Sequence, residues 1–151
     1  MTASTPLLFQ PIQLRGITLP NRIVIPPMCM YSAEEGFPTD FHMAHLGKFA
    51  LGGAGMVILE VTAVSRDGRI THGDLGIWTD EQAKKLAPIA AFLKSEGSIP
   101  AIQIGHSGRK GSMQRPWKGN GPLTPENIAD GDIPWQPEAP SPVPLADGWL
   151  T

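Results

Sequence analysis

Three short apolar runs rich in β-branched residues are each followed at once by a group of chemically unusual side chains. The runs are Ile23–Ile25, Met56–Leu59 and Ala101–Ile104, and the second and third belong to strands predicted at Met56–Val61 and Ile99–Ile104. Continuous apolar runs of this length are typical of strands that are buried on both faces of a parallel sheet. In such sheets binding and catalysis collect at the carboxyl ends of the strands, because the following loops vary without disturbing the core. We therefore expect functional residues at these three strand ends.

Two helices are predicted between the strands. The first covers Asp40–Leu51, where apolar residues recur at helical spacing, and it ends at Gly52–Gly53. The second begins after Thr79, which forms a capping-box pattern with Gln82 three residues later, and it runs to about Glu96. Strand, helix, strand, helix and strand in this order predict right-handed βαβ units around a parallel sheet.

The flanks of this repeat are predicted to be less regular. A short hairpin is expected within Pro11–Leu19, ahead of the first buried strand. Residues Lys118–Thr151 contain seven prolines and no persistent period, so an irregular loop with at most a short strand or turn is expected there. Three parallel strands cannot close a barrel, and Gly148–Thr151 is typical of the approach to a third helix, with Thr151 at its cap. We therefore expect the chain to be one part of a larger sheet.

Composition narrows the possible partners. The 12 basic and 14 acidic residues leave a net charge of −2, which argues against nucleic acid or an anionic membrane as a binding partner. No apolar run approaches the roughly twenty residues that cross a bilayer, so a cytoplasmic location is expected. The only cysteine, Cys29, has no intrachain partner for a disulfide. It is either a buried apolar residue or a thiol with a function.

Eight short motifs occur along the chain in a fixed order. They are Asn21–Arg22, Pro27–Tyr31, Phe41–His45, Gly53–Gly55, Glu60–Val64, Gly68–Ile70, Gly76–Asp80 and Ile102–Lys110. In these motifs the chain resembles the amino-terminal part of the old yellow enzyme family, and specifically its cysteine-containing subclass of xenobiotic reductases and thermophilic-like ene-reductases. The resemblance implies an α/β fold. Residues 1–151 would form the amino-terminal segment of one FMN-binding (β/α)8 TIM barrel, with about three strands, two helices and a long loop.

The resemblance also implies an activity. FMN would be the cofactor, NADPH or NADH the hydride donor, and an activated alkene such as an α,β-unsaturated carbonyl the substrate. The remainder of the barrel, in the same protein or in a second chain, would be a partner, and relatives commonly form homo-oligomers. The residues that hold the substrate carbonyl and the flavin phosphate belong to later strands in this family. We therefore expect the chain alone not to complete the reaction.

Five cofactor-binding residues are implied at the strand ends. Val61 would supply backbone contacts to the pyrimidine side of the flavin, where many relatives have Ala. Gln103 would form paired hydrogen bonds to the pyrimidine edge, because an amide complements its alternating acceptors and donors. From the residues alone, Gln103 is equally a buried amide with a structural partner. The implied set is Pro27, Met28, Cys29, Val61 and Gln103.

Cys29 and Tyr31 are the implied catalytic residues. Cys29 would lie near the reactive edge of the flavin and tune its reduction potential, without acting as a nucleophile. Tyr31 would stand over the substrate and donate a hydrogen bond. His42 and His45 are three residues apart on a helix but lack a third ligand, so packing is expected in place of a metal site.

Further assignments stay open. Arg109 and Lys110 are weak candidates for cofactor or subunit contacts. Trp117, Trp135 and Trp149 are expected to anchor the irregular loop. Two alternative functions remain: a barrel segment of a related dienoyl-CoA reductase or amine dehydrogenase-type flavoenzyme, and a non-catalytic truncated remnant.

Overall fold

A computed structural model describes residues 4–150. The chain starts with an antiparallel hairpin of β1 (Ile12–Leu14) and β2 (Ile17–Leu19). Its two-residue turn places Arg15 in the left-handed region, with φ of 50°, as the favoured hairpin turns require. The hairpin predicted between Pro11 and Leu19 is confirmed.

Four parallel strands form the main sheet. They are β3 (Val24–Ile25), β4 (Met56–Ala63), β5 (Leu75–Gly76) and β6 (Ile99–Gly105). Strand β6 pairs with β4 along its length, so β3 and β5 share the other edge of β4, at its beginning and its end. The three predicted strands are confirmed. The two-residue β5 lies in a segment predicted to be a loop, because two residues are too few to show a period.

The β4–β6 ladder contains one irregularity. Leu59 lies opposite Ile102 and Val61 lies opposite Gln103, so Glu60 has no partner residue in β6. Such a bulge inserts one extra residue into a strand and re-aims its side chain. The bulge lies at the carboxyl end of β4.

Helices α1 (Asp40–Leu51) and α2 (Asp80–Ser95) cover one face of the sheet. Thr79 caps α2, since its side chain accepts a hydrogen bond from the backbone N–H of Gln82 at 3.2 Å. Both predicted helices are confirmed, with bounds that agree to within one residue. Buried residues from the two helices and the sheet form one apolar core: Leu46, Ala50, Val57, Leu59, Leu75, Leu86, Ile89 and Leu93. Burial of these side chains is the main stabilising term of the segment.

The carboxyl-terminal stretch is largely irregular, as predicted, but it contains one element that was not expected. The short helix α3 (Pro125–Ala129) begins with a capping box between Thr124 and Asn127. The expectation of at most a strand or turn is wrong here. A single helical turn held by its own cap produces no repeating apolar period, so the periodic pattern did not predict it. Thr151, predicted as a helix cap, lies outside the described residues.

Trp135 attaches this stretch to the loop after β4. Its indole Nε1 donates to the carbonyl oxygen of Asp67 at 2.8 Å, and its backbone N–H donates to Oγ of Ser112 at 2.9 Å. The buried guanidinium of Arg69 lies between the rings of Trp78 and Trp135, at 5.6 and 5.0 Å from their centroids. The anchoring role predicted for Trp135 is confirmed. Within residues 4–150, no helix combines the length and apolar character needed to cross a membrane.

Candidate functional site

The carboxyl ends of β4 and β6 and the segment after β3 border one open cavity of about 320 Å³. Cys29 reaches it from the segment after β3, Val61 from the last part of β4, and Gln103 from β6. The lining consists of Cys29, Val61, Ile70, Gln103, Ile104, Gly105, His106 and Ser107. Three residues that are remote in sequence therefore meet in one place.

Cys29 is held as a neutral thiol. The backbone N–H of Val61 and the hydroxyl of Tyr31 donate hydrogen bonds to its sulfur. Burial nevertheless raises the pKa of Cys29 to about 11, and the carboxyl groups of Asp74 and Glu60 add to the shift. A thiol with this pKa carries almost no thiolate at neutral pH, so it is a poor nucleophile.

Tyr31 lies beside Cys29 with an unusual backbone. Its φ is 52°, in the left-handed region that side chains with a Cβ rarely adopt. Burial raises the pKa of Tyr31 to about 12, and Cys29 and Asp74 contribute. The phenol therefore stays protonated and its hydroxyl donates to Cys29. The ring of Trp117 packs edge-on against Tyr31, with 5.9 Å between ring centroids.

The side chain of Gln103 is exposed at the cavity, and its amide has no hydrogen-bond partner within residues 4–150. Within the described residues Gln103 therefore has no structural partner, and its role as a flavin ligand stays a prediction. A free amide offers one acceptor and two N–H donors to a planar polar edge. This is the pattern that the resemblance requires of Gln103.

Two buried carboxyl groups next to Cys29 were not predicted from the sequence. Glu60 is 4% exposed and Asp74 is 2% exposed. Asp74 accepts hydrogen bonds from the backbone N–H of Ile70 at 2.7 Å and from the hydroxyl of Thr71 at 2.9 Å. Burial raises the pKa of Asp74, and it raises that of Glu60 to about 7. An acid inside the apolar run of β4 was the signal that could have identified Glu60.

Other predicted residues lie near the cavity without lining it. Pro27 and Met28 belong to the segment that carries Cys29, and Met28 is exposed. Arg109 donates to Oγ of Ser141 at 3.0 Å, so it contacts the carboxyl-terminal loop. The contacts of Arg109 and Lys110 to cofactor or subunit stay predictions.

His42 and His45 have local roles on α1. Nδ1 of His42 accepts a hydrogen bond from the backbone N–H of Thr39 at 3.0 Å, which completes the cap of α1. His45 stacks on Phe41, with 5.4 Å between ring centroids, and meets Phe49 edge-on at 5.2 Å. These contacts agree with the packing role predicted for the pair.

A second group of possible ligands lies at the outer side of the cavity. Donor atoms of Asp67, His106 and Glu138 all lie within 4.8 Å of one another. Nδ1 of His106 accepts the backbone N–H of Gly108 at 3.0 Å. This hydrogen bond occupies Nδ1 and leaves Nε2 as the ring nitrogen available to a carboxylate or a metal ion.

Comparisons with known proteins agree on one relationship. The model of the NADH:flavin oxidoreductase / NADH oxidase family matches residues 7–133. The chain is 44% identical to an NADPH dehydrogenase of Bacillus cytotoxicus over 127 residues, which are 83% of this chain and 35% of that protein. It also superposes on morphinone reductase with a TM-score of 0.73 and 28% identity, covering 99% of this chain and 35% of that one.

The old yellow enzyme of Trypanosoma cruzi is similar as well, with a TM-score of 0.70 and 27% identity over 94% of this chain and 36% of that one. The chain thus spans about a third of the length of the proteins it matches. The four parallel strands and two covering helices form part of a (β/α)8 barrel, as predicted. The assignment to the cysteine-containing subclass stays a prediction.

Proposed function

The chain belongs to the NADH:flavin oxidoreductase / NADH oxidase family, and on this premise we propose that it supplies part of the flavin site of an FMN-dependent ene-reductase of the old yellow enzyme type. The reaction is the reduction of activated C=C bonds in α,β-unsaturated carbonyls, driven by NADPH or NADH. The remainder of the barrel provides the substrate-anchoring and phosphate-binding residues. The observation that carries the proposal is the meeting of Cys29, Val61 and Gln103 at one cavity.

The residues at the cavity fit a neutral, planar, hydrogen-bonding ring. Gln103 offers an unpaired amide for the pyrimidine edge of such a ring. The neighbouring wall consists of Val61, Ile104 and the protonated thiol of Cys29, which brings no formal charge against the ring face. When bound, FMN supplies hydride transfer from the nicotinamide to the β-carbon of the alkene.

The chain contributes binding, orientation and a controlled electrostatic environment. Gln103 fixes the in-plane orientation of the cofactor through donors and acceptors of its amide. Cys29 presents a polarisable sulfur close to the redox-active ring, and the strength of its hydrogen bonds affects the reduction potential. Tyr31 acts through Cys29 in this structure, because its hydroxyl donates to the sulfur. This contact orients the thiol, and the hydrogen bond from Tyr31 to the substrate stays a prediction.

Flavin binding tests the proposal directly. The chain is co-expressed with the remaining strands of an old yellow enzyme barrel, and the purified complex is examined for flavin absorption and for NADPH oxidation with 2-cyclohexenone. We expect both signals. Gln103→Leu removes two hydrogen bonds to the ring and should weaken FMN affinity about thirtyfold, since each is worth about 1 kcal/mol.

The matched control is Gln13→Leu, which makes the same change on the exposed hairpin strand β1. This variant should bind FMN as the unchanged complex does. A complex that folds without flavin absorption, or equal FMN affinity in the Gln103→Leu and Gln13→Leu complexes, contradicts the assignment.

A further inference from the structure

We propose that Glu60 is the positioning residue of this site: its buried carboxyl group holds the segment from Cys29 to Tyr31 and transmits its own protonation state to both side chains. The inference deepens the proposed function and rests on it for one point, that Cys29 and Tyr31 face the cofactor. Three observations carry it: the bulge in β4, the burial of the carboxyl group and the arrangement of its neighbours.

The bulge gives Glu60 a position that has no opposite residue in the neighbouring strand. Leu59 and Val61 have consecutive partners in β6, so Glu60 is an extra residue in the ladder. A hydrogen bond inside β4 holds its backbone, because the hydroxyl of Thr62 donates to the carbonyl oxygen of Glu60 at 3.0 Å. Bulges of this kind are concentrated next to active sites, where they redirect one side chain.

The carboxyl group of Glu60 is buried without a full set of partners. The residue is 4% exposed, and Oε1 has no hydrogen-bond partner within the described part of the chain. Burial of an incompletely paired acid costs free energy, and an apolar side chain at this position would avoid that cost. A role in packing alone therefore does not explain an acid here.

The neighbours of Glu60 indicate what the acid does. The backbone N–H groups of Met30 and Tyr31 face its carboxylate and favour the charged form. Tyr31 has a left-handed φ of 52°, which costs free energy for a residue with a Cβ. Attraction between its N–H and the Glu60 carboxylate favours this conformation. The same conformation lets the Tyr31 hydroxyl reach the sulfur of Cys29.

The charged and titratable groups around Glu60 are few. Cys29 and Tyr31 face it from the segment after β3, and Asp74 faces it from the turn before β5. Strand β6 contains no titratable residue. Arg69 lowers the pKa of Asp74 and thereby favours the charged form of Asp74. Burial raises the pKa of Glu60, and the charge of Asp74 raises it further. Hydrogen bonds from the backbone lower it in part, and the result is a pKa of about 7. Ionisation of Glu60 raises the pKa of both Cys29 and Tyr31.

The effect of Glu60 ionisation on Tyr31 can be measured by NMR. Tyr31 is the only tyrosine of the 151 residues, so a chain labelled with ¹³C-tyrosine gives one set of ring resonances that needs no assignment. We expect the ring shifts to follow a titration with a midpoint near pH 7. Glu60→Gln keeps the shape of the side chain and should abolish that titration. Asp74→Asn should move the midpoint to lower pH, because Asp74 raises the pKa of Glu60.

Glu96→Gln is the matched control, since this exposed acid caps the far end of α2. It should leave the titration unchanged. A flat profile of the unaltered chain between pH 6 and 8.5 overturns the proposal without any variant. A titration that persists in Glu60→Gln also overturns it, because the signal then belongs to another group, such as Asp74. If Glu60→Gln does not fold, the unaltered chain and Asp74→Asn still test the proposal. A midpoint near pH 7 that moves to lower pH in Asp74→Asn supports it, and a flat or unshifted profile overturns it.

The flavin assay separates this proposal from the function it rests on. A Tyr31 titration near pH 7 in a complex without FMN leaves the role of Glu60 intact and rejects the flavin site. FMN binding with a flat Tyr31 profile leaves the flavin site intact and rejects the role of Glu60.

Discussion

Cys29, Tyr31 and Glu60 all retain their protons to higher pH than they would in water. Burial is the first cause in each case, and each of the three lies close to the other two. The sequence indicated that Cys29 belongs to the site because strand ends collect functional residues. It did not indicate Glu60, because the side-chain alternation used to interpret a strand fails at a bulge, which only the pairing with β6 reveals.

The first prediction concerns the reactivity of Cys29. Its pKa of about 11, compared with the ordinary 9.0, leaves about 100-fold less thiolate at pH 8. Alkylation of the folded chain by iodoacetamide at pH 8 should therefore be about 100-fold slower than in urea, where the pKa returns to its ordinary value. Mass spectrometry of timed samples measures the rate. Equal rates in the two conditions contradict a buried, protonated thiol.

The second prediction concerns pH and the free energy of unfolding. Glu60 binds its proton up to about pH 7 in the folded state and up to about its ordinary pKa of 4.5 when unfolded. The folded state thus holds more protons between these values, so this contribution to stability is complete below pH 4.5 and is lost as the pH rises through 7. Urea unfolding measures how much the free energy of unfolding falls between pH 5 and pH 8. This decrease should be larger by roughly 2 kcal/mol in the unaltered chain than in Glu60→Gln. Equal losses contradict the raised pKa.

At the scale of elements, local sequence chemistry predicted the two long helices well. Thr79 with Gln82 and Gly52–Gly53 are start and stop signals that act within one turn, so they require no knowledge of tertiary contacts. Strand β5 and helix α3 were not predicted, because their two and five residues are too short for a period and are stabilised by neighbours.

The third prediction tests the cap of α2. Thr79→Ala removes the acceptor for the backbone N–H of Gln82, which lies 3.2 Å away. We expect a loss of about 1 kcal/mol in the free energy of unfolding. Ser95→Ala changes an exposed hydroxyl in the last turn of the same helix and should have a smaller effect. Urea unfolding of both variants measures the difference, and equal effects would exclude the cap as its cause.

The fourth prediction concerns the attachment of the carboxyl-terminal stretch. Trp135→Leu removes the indole hydrogen bond to Asp67 and one of the two rings against Arg69. Proteolysis within residues 119–150 should become several-fold faster, since this stretch loses contacts with the loop after β4. Trp117→Leu makes the same change at a largely exposed ring that packs edge-on against Tyr31, and it should accelerate proteolysis less. Similar rates in the two variants would show that Trp135 is not the anchor.

At the scale of the whole molecule, the described residues leave one side of the sheet open. The outer edge of β6 pairs with no strand of residues 4–150, and an apolar groove of about 330 Å³ runs between α2 and β6. Leu86, Ala90 and Ile102 are among its lining residues. In proteins about three times as long, further strands and helices have room at this edge. Sequence analysis predicted an unclosed barrel for the same reason, the small number of strands.

The fifth prediction follows from this open edge. The chain alone should self-associate at micromolar concentrations and bind a hydrophobic dye, since unpaired strand edges and apolar grooves favour contact between molecules. Ile102→Lys places a charge on the open edge and should shift sedimentation toward the monomer. Ile17→Lys, on the hairpin strand β2, is the matched control and should not. If the unaltered chain is monomeric, the open edge does not drive self-association.

The bulge at Glu60 has a consequence for the gene that encodes β4. Deletion of that single codon would leave Leu59 and Val61 adjacent and still opposite the same two residues of β6. Hydrogen bonding of the ladder would then be more regular than it is now. The ladder gains no pairing from the surplus residue, so the carboxyl group of Glu60 and the local bend of β4 are what the deletion would remove.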